Sequence, residues 1–183
     1  FAYLDSRGSA KQSPGSEVPS RDLLTQNVSI PRGALERVGG FDEEFGAYGF
    51  EDMELGFRLE DEVGLAFHYL DGAMGWHAHH HSLDEYIEKK NVCGRETLPR
   101  LLELHPHRAR EMQLDLLLPG PETPFRVRAL GALLRGSFGT GLATLARALV
   151  GPLGALLPPE SRHRVFDYLV LEAYAKGLAS RKT

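Results

Sequence analysis

The feature that most constrains this chain is the junction Tyr48-Gly49-Phe50-Glu51-Asp52, where an aromatic, glycine-bearing loop runs straight into an acid-led helix. Val38-Gly39-Gly40-Phe41-Asp42-Glu43-Glu44-Phe45 leads into it, with Gly46 and Gly49 as the expected hinges. At roughly 100° per residue, Leu55, Leu59 and Val63 fall on one side of a helix over 51–63, with Met53 and Phe57 continuing the apolar arc. Glu51, Glu54, Arg58, Asp61 and Glu62 share the opposite side, where Glu54 and Arg58 form an i,i+4 pair. Asp52 projects with Leu55 and Leu59, toward the protein and away from bulk water. An acid in a first turn commonly just complements the helix dipole. A carboxylate on the inward side, beside a loop able to hold a polar ligand against an aromatic platform, is also placed to accept a proton.

Around this junction the pattern predicts alternating short strands and helices. Phe1 to Leu4 has the composition of a strand end, and Asp5 to Asp22 that of a mobile loop, rich in Ser, Gly, Pro and charge. Leu23 to Ile30 reads as a strand. Pro31 then suits the first turn of a short helix that Gly39-Gly40 ends. Leu65 to Leu70 is a further expected strand, and Met74 to His81 a second extended piece. Ser82-Leu83-Asp84-Glu85 is a capping-box pattern opening a helix through about Cys93, which Gly94 is expected to break. Thr97-Leu98-Pro99 starts another helix that stops at His105-Pro106. Gly120 to Pro124 reads as a linker. Two helical stretches follow, about Phe125 to Leu149 and about Ser161 to Leu178, separated by Pro158-Pro159. The expected class is α/β, few strands flanked by helices, divided into 1–118 and a helical extension over 119–183.

Charge distribution narrows the choice of partner. The 183 residues carry a net charge of −4, too mild and of the wrong sign for a nucleic-acid binder. From Glu36 to Glu62 there are ten acids against two bases, whereas Thr123 to Pro159 holds four arginines and no acid. Those arginines, Arg126, Arg128, Arg135 and Arg147 among Leu, Ala and Gly, suit either packing helices or an anionic membrane surface. Cys93 is the single cysteine, so no internal disulfide forms and a reducing compartment is the easier reading. Its surroundings are those of a small apolar helix residue. The reading finds no signal peptide and no apolar run of about 18 residues. The chain opens on Phe1 and is expected to be a piece of something longer.

The cluster His77-Ala78-His79-His80-His81 is the second chemical candidate. In an extended strand His77, His79 and His81 point one way and His80 the other. Same-face imidazoles can ligate a divalent metal, though a surface histidine run is also ordinary polar filler. No Asp follows at hydrolase spacing and no cysteine partners exist for a structural zinc. Trp76 can stack on a ring or pack in the core. Lys89, Lys90 and Arg95 lie where a diphosphate could be reached, or are simply solvated.

Taken in order, Asn27-Val28-Ser29-Ile30, the Gly39-to-Phe45 run, Tyr48-Gly49-Phe50-Glu51-Asp52 and Trp76-His77 resemble the C-terminal half of a family 2 glycosyltransferase of the GT-A (Rossmann-like) fold, over roughly residues 24 to 106. The resemblance implies inverting transfer from a nucleotide-diphosphate sugar to a glycan or lipid-linked acceptor, of the cell-envelope polysaccharide kind. It implies Asp52 as catalytic base and Glu51 as acceptor ligand. It implies Asn27, Phe45, Tyr48, Gly49, Phe50, Trp76 and Arg95 around the substrates. His77, with His79 as runner-up, would complete a Mn²⁺ or Mg²⁺ site. The chain departs from the family in containing no Asp-x-Asp, the motif of the nucleotide-binding half. That half is expected to be missing, and this piece alone to bind nucleotide sugar poorly. The expected location is cytoplasmic, reaching the inner face of the membrane if the arginine-bearing tail lies there. The rivals are a metal-dependent hydrolase built on His77, His79 and His81, and a non-catalytic glycan-binding module.

Overall fold

A computed structural model describes residues 12–75, 82–112, 114–136, 141–151 and 157–181. The chain divides into two compact units, Phe1–His79 and His80–Thr183.

In the first unit a two-residue strand β1 (Glu17–Val18) pairs antiparallel with β2 (Phe67–His68) in the register Glu17↔His68 and Val18↔Phe67. Hydrogen bonds from Gly15 N–H to the Tyr69 carbonyl and from Tyr69 N–H to the Ser16 carbonyl, both 2.9 Å, extend the ribbon. Helix α1 (Arg32–Arg37) follows Pro31 as the sequence suggests, and Gly39 and Gly40, both at φ +76°, turn the chain away. Helix α2 spans Glu51–Val63, the expected limits. It ends in a left-handed glycine cap: Gly64 at φ +69° donates to the Glu60 carbonyl, the αL motif, and Leu65 N–H donates to the Leu59 carbonyl. Leu55 and Leu59 pack with Leu23 and Ala34, backed by Ile30, Val38, Val63 and Phe67, so the inward stripe read from the sequence is the core.

Four expectations are corrected here. Leu23 to Ile30 is not a strand. It holds a 3₁₀ turn over Thr25–Asn27, preceded by another over Ser20–Asp22. Strand composition forms a strand only where a neighbour supplies hydrogen bonds. Leu23 is instead drawn down onto α2, where an added Cβ on Gly56 would come within 2.4 Å of the Ser20 carbonyl oxygen. The ribbon partner comes from the segment read as a mobile loop, and the strand expected over Leu65 to Leu70 shrinks to two residues. Glu54, assigned to the solvent side, is 2% exposed. The middle of α2 is enclosed around most of its circumference, because Leu55, Gly56, Phe57 and Leu59 are buried with it.

The second unit is helical: α3 (Leu83–Arg95), α4 (Thr97–Leu104), α5 (Phe125–Gly136), α6 (Leu142–Val150) and α7 (Pro159–Ala179). The capping box at Ser82 is formed, with Ser82 Oγ accepting from Glu85 N–H at 3.2 Å and Glu85 Oε2 accepting from Ser82 N–H at 2.8 Å. Ile87, Ala146, Leu169 and Ala173 form the core between α3, α6 and α7. Gly94 does not break α3. A Cβ there would lie 2.3 Å from the Tyr174 carbonyl oxygen, and one on Gly177 would lie 2.1 Å from that of Asn91. The two glycines let α3 and α7 touch backbone to backbone. The helix read as one stretch over Phe125 to Leu149 is two, α5 and α6. Residues 118 and 119 both lie within the second unit. Among the described residues the chain is mostly helical with one two-stranded sheet, consistent with part of an α/β domain.

Candidate functional site

The site is built from the residues that enter α2. Gly49 at φ +106° and Phe50 at φ +72° carry the loop into the helix through left-handed backbone. Phe50 is the one non-glycine among the described residues in that region, a conformation that costs an L-residue roughly 1–2 kcal/mol. The outlay sets where the first helical carboxylates sit. Glu51, Asp52 and Glu54 occupy the first turn, where the partial positive charge of the helix N-terminus favours anions.

Asp52 is half-buried, and its Oδ1 accepts a hydrogen bond from Thr25 Oγ1 at 2.5 Å. The side chain therefore turns inward toward the 3₁₀ turn, as the helical arc implied. Thr25 was not singled out in the sequence, since a lone threonine 27 positions upstream carries no spacing signal. Glu51 stands beside it with Oε2 buried and with no hydrogen-bond donor among the described residues. Such an oxygen costs energy unless a donor arrives. Asn27, exposed, donates from Nδ2 to the Ala73 carbonyl at 2.7 Å and so ties the 3₁₀ turn to the segment leading toward Trp76. The aromatic loop presents Tyr48, 52% exposed, while Phe45 and Phe50 are half-buried.

Behind this surface, Arg58 locks the loop to the helix. Its Nε and Nη2 donate to the two carboxylate oxygens of Glu54 at 2.7 and 2.6 Å, and Nη1 donates to the Val38 carbonyl at 2.5 Å. The hydrogen bonding with Glu54 raises the guanidinium pKa above its ordinary value, against the opposing effect of burial, with Glu62 and Asp42 adding to the rise. The expected surface pair is thus a buried bidentate one that closes the glycine-rich turn. Removing one partner from a buried pair strands the other charge. Arg58→Met is expected to cost roughly 3–5 kcal/mol in denaturant unfolding, and the double change with Glu54→Leu to recover most of it. An additive double mutant would show that the pair is not the reason for the loss.

Trp76, His77, His79 and His81 lie outside the described residues. Arg95 belongs to the second unit, on the last turn of α3, where it pairs with Glu96 at 2.9 Å. Lys90 sits over the rings of Tyr86 and Tyr174, at 5.1 and 5.8 Å from their centroids, which gives it a packing role within that unit.

Chemically, the head of α2 offers a fixed carboxylate, an unsatisfied acceptor and an exposed aromatic face. Comparison with known proteins bears on the family rather than on these side chains. The chain is 42% identical over 78 residues to chondroitin synthase of Pasteurella multocida (strain Pm70), covering 43% of this chain and 7% of that protein. It is 32% identical over 96 residues to the uncharacterized glycosyltransferase YfnE of Bacillus subtilis (strain 168), covering 50% of this chain and 24% of YfnE. It is 60% identical over 35 residues to validoxylamine A glucosyltransferase of Streptomyces hygroscopicus subsp. jinggangensis (strain 5008), covering 19% of this chain and 8% of that enzyme. These relatives are glycosyltransferases. They support a transferase at the family level, and the chain spans less than a quarter of the length of each. No protein-family model matches the chain, and no solved structure matches it.

Proposed function

We infer that this chain is the acceptor-side portion of a GT-A glycosyltransferase domain of family 2, acting by inversion on a nucleotide-diphosphate sugar. The observation that carries the reading is Asp52, held inward by Thr25 at the start of α2 and flanked by the unpartnered Glu51 oxygen. In the proposed step an acceptor hydroxyl oxygen attacks the anomeric carbon of the donor. Its proton passes to the Asp52 carboxylate, and the bond from the anomeric carbon to the nucleoside diphosphate breaks. Glu51 Oε2 accepts a hydrogen bond from a second acceptor hydroxyl, and the Tyr48 ring supports the sugar face. Thr25 orients the base.

The resemblance also gives His77 and His79 a Mn²⁺ or Mg²⁺ ion, which would offset charge on the departing diphosphate. Imidazoles alone suit these oxygen-preferring ions poorly, so a carboxylate ligand from elsewhere belongs to this reading. A glycan or lipid-linked acceptor and a cytoplasmic location complete it.

Oligosaccharide titration onto the chain tests the acceptor side. Binding is expected without nucleotide, with Glu51→Gln weakening it roughly tenfold, as loss of a charge-assisted hydrogen bond does. Assay of nucleoside diphosphate release in an active polypeptide containing this stretch tests the chemistry. Saccharide binding unchanged by Glu51→Gln, with no acceptor-dependent release, would remove the reading.

A further inference from the structure

Among the described residues the outward face of α5 has no protein partner, and its composition is unusual for a solvated helix. On the inward side an added Cβ at Gly131 would lie 2.3 Å from the Leu116 carbonyl oxygen, and Leu134 is buried. Arg135 Nη1 donates to the Leu117 carbonyl at 3.3 Å. These contacts fix the rotation of the helix. Within an arc of roughly 140° on the other side lie Phe125, Ala129, Leu133, Arg126 and Leu130, and Arg128 flanks this face, roughly 60° beyond Phe125. Phe125 is 82% exposed, Leu133 71% and Leu130 56%. Arg126 and Arg128 are exposed and make no ion pair among the described residues. Both stand in the first turns of α5, which contain no acid, where the helix dipole disfavours positive charge.

Three large apolar side chains left in water, next to cations placed against the dipole, are two local costs on one surface. An anionic, apolar-backed partner relieves both. We propose that this face lies on an anionic phospholipid surface, with Phe125, Leu130 and Leu133 inserted at the headgroup boundary and Arg126 and Arg128 on the phosphates. A helix of 12 residues is about 18 Å long, short of the roughly 30 Å hydrocarbon core, so it lies in the plane of the surface. No helix among the described residues is long and apolar enough to cross a membrane. A second copy of the chain fits the face less well. Thr123 to Pro159 contains no acid, so a symmetric pair would bring arginines to arginines.

The proposal stands apart from the transferase reading, and its test needs no activity. The whole chain is floated on a density gradient with vesicles of phosphatidylglycerol and phosphatidylcholine in equal amounts, and with vesicles of phosphatidylcholine alone. Co-flotation is expected with the anionic vesicles only, weakening as salt rises. Arg126→Gln with Arg128→Gln is expected to lower partitioning by roughly 20-fold, about fivefold per arginine. Leu133→Ser, at an exposed position, is expected to weaken it while leaving the circular dichroism spectrum unchanged. Absence of anionic-vesicle binding overturns the proposal, as does binding indifferent to these substitutions. So does a sedimenting dimer that Leu133→Ser dissociates, which would assign the face to a second copy.

Discussion

Asp52→Asn is expected to leave the fold intact and to lower sugar transfer by roughly 10²–10⁴-fold, the range a positioned general base contributes. The substitution keeps volume and retains an amide oxygen that can accept the Thr25 hydroxyl, whose hydrogen bond to Oδ1 is 2.5 Å. Asparagine remains acceptable near a helix start. What it cannot do is take the acceptor's proton. Kinetics in an active polypeptide containing this stretch are expected to show the loss in kcat, with KM for the acceptor little changed, because the proposed acceptor contacts are those of Glu51 and Tyr48. Thermal unfolding within a degree or two of the parent would establish that chemistry, not structure, was removed. Turnover near the parental rate would end the assignment of Asp52 as base.

In the second unit the tightest packing constraint is at Gly177. Its missing side chain is filled by the backbone of α3: a Cβ would stand 2.1 Å from the Asn91 carbonyl oxygen, 2.8 Å from Arg95 N and 3.0 Å from the Gly94 carbonyl carbon. None of these atoms ends a flexible side chain, so the helices must separate. Overpacking typically costs 1–3 kcal/mol, whereas glycine to alanine in a helix interior gains about 1 kcal/mol. Gly177→Ala is expected to lose roughly 1–2 kcal/mol net, and Gly177→Val to prevent the second unit from folding, read by urea unfolding with circular dichroism. Gly33→Ala is the internal control: it lies within α1 with nothing within 4 Å of the added atom, and is expected to be neutral or slightly stabilising. Equal losses at Gly177 and Gly33 would refute the close-contact explanation.

The helices and their caps were readable because their signals are local. Ser82 with Glu85, Gly39-Gly40 after the short helix, and the Leu55–Leu59–Val63 stripe each lie within a turn or two of what they specify. Of the two strands, Phe67–His68 falls within the expected Leu65 to Leu70 run, whereas Glu17–Val18 was not readable, because its partner lies nearly fifty residues away and the pair has neither the length nor the alternation of a strand. Gly94 was misread for a related reason. Locally a glycine signals a break, and only the facing Tyr174 backbone reveals that it is a contact. At the candidate site, the inward placement of Asp52 followed from helical geometry. Thr25, which orients it, and Arg58, which leaves the charged face to meet the Val38 carbonyl, depend on tertiary neighbours that no periodicity encodes.

One guanidinium, that of Arg58, grips both the residue that enters the glycine turn, Val38, and the helix behind it. The two segments are therefore geared together, and lengthening or shortening the loop would drag the first helical turn along. Retuning the surface around Tyr48 is accordingly a matter of exchanging side chains on a fixed chassis, and insertions at Gly39-Gly40 would misalign the carboxylates of the first helical turn.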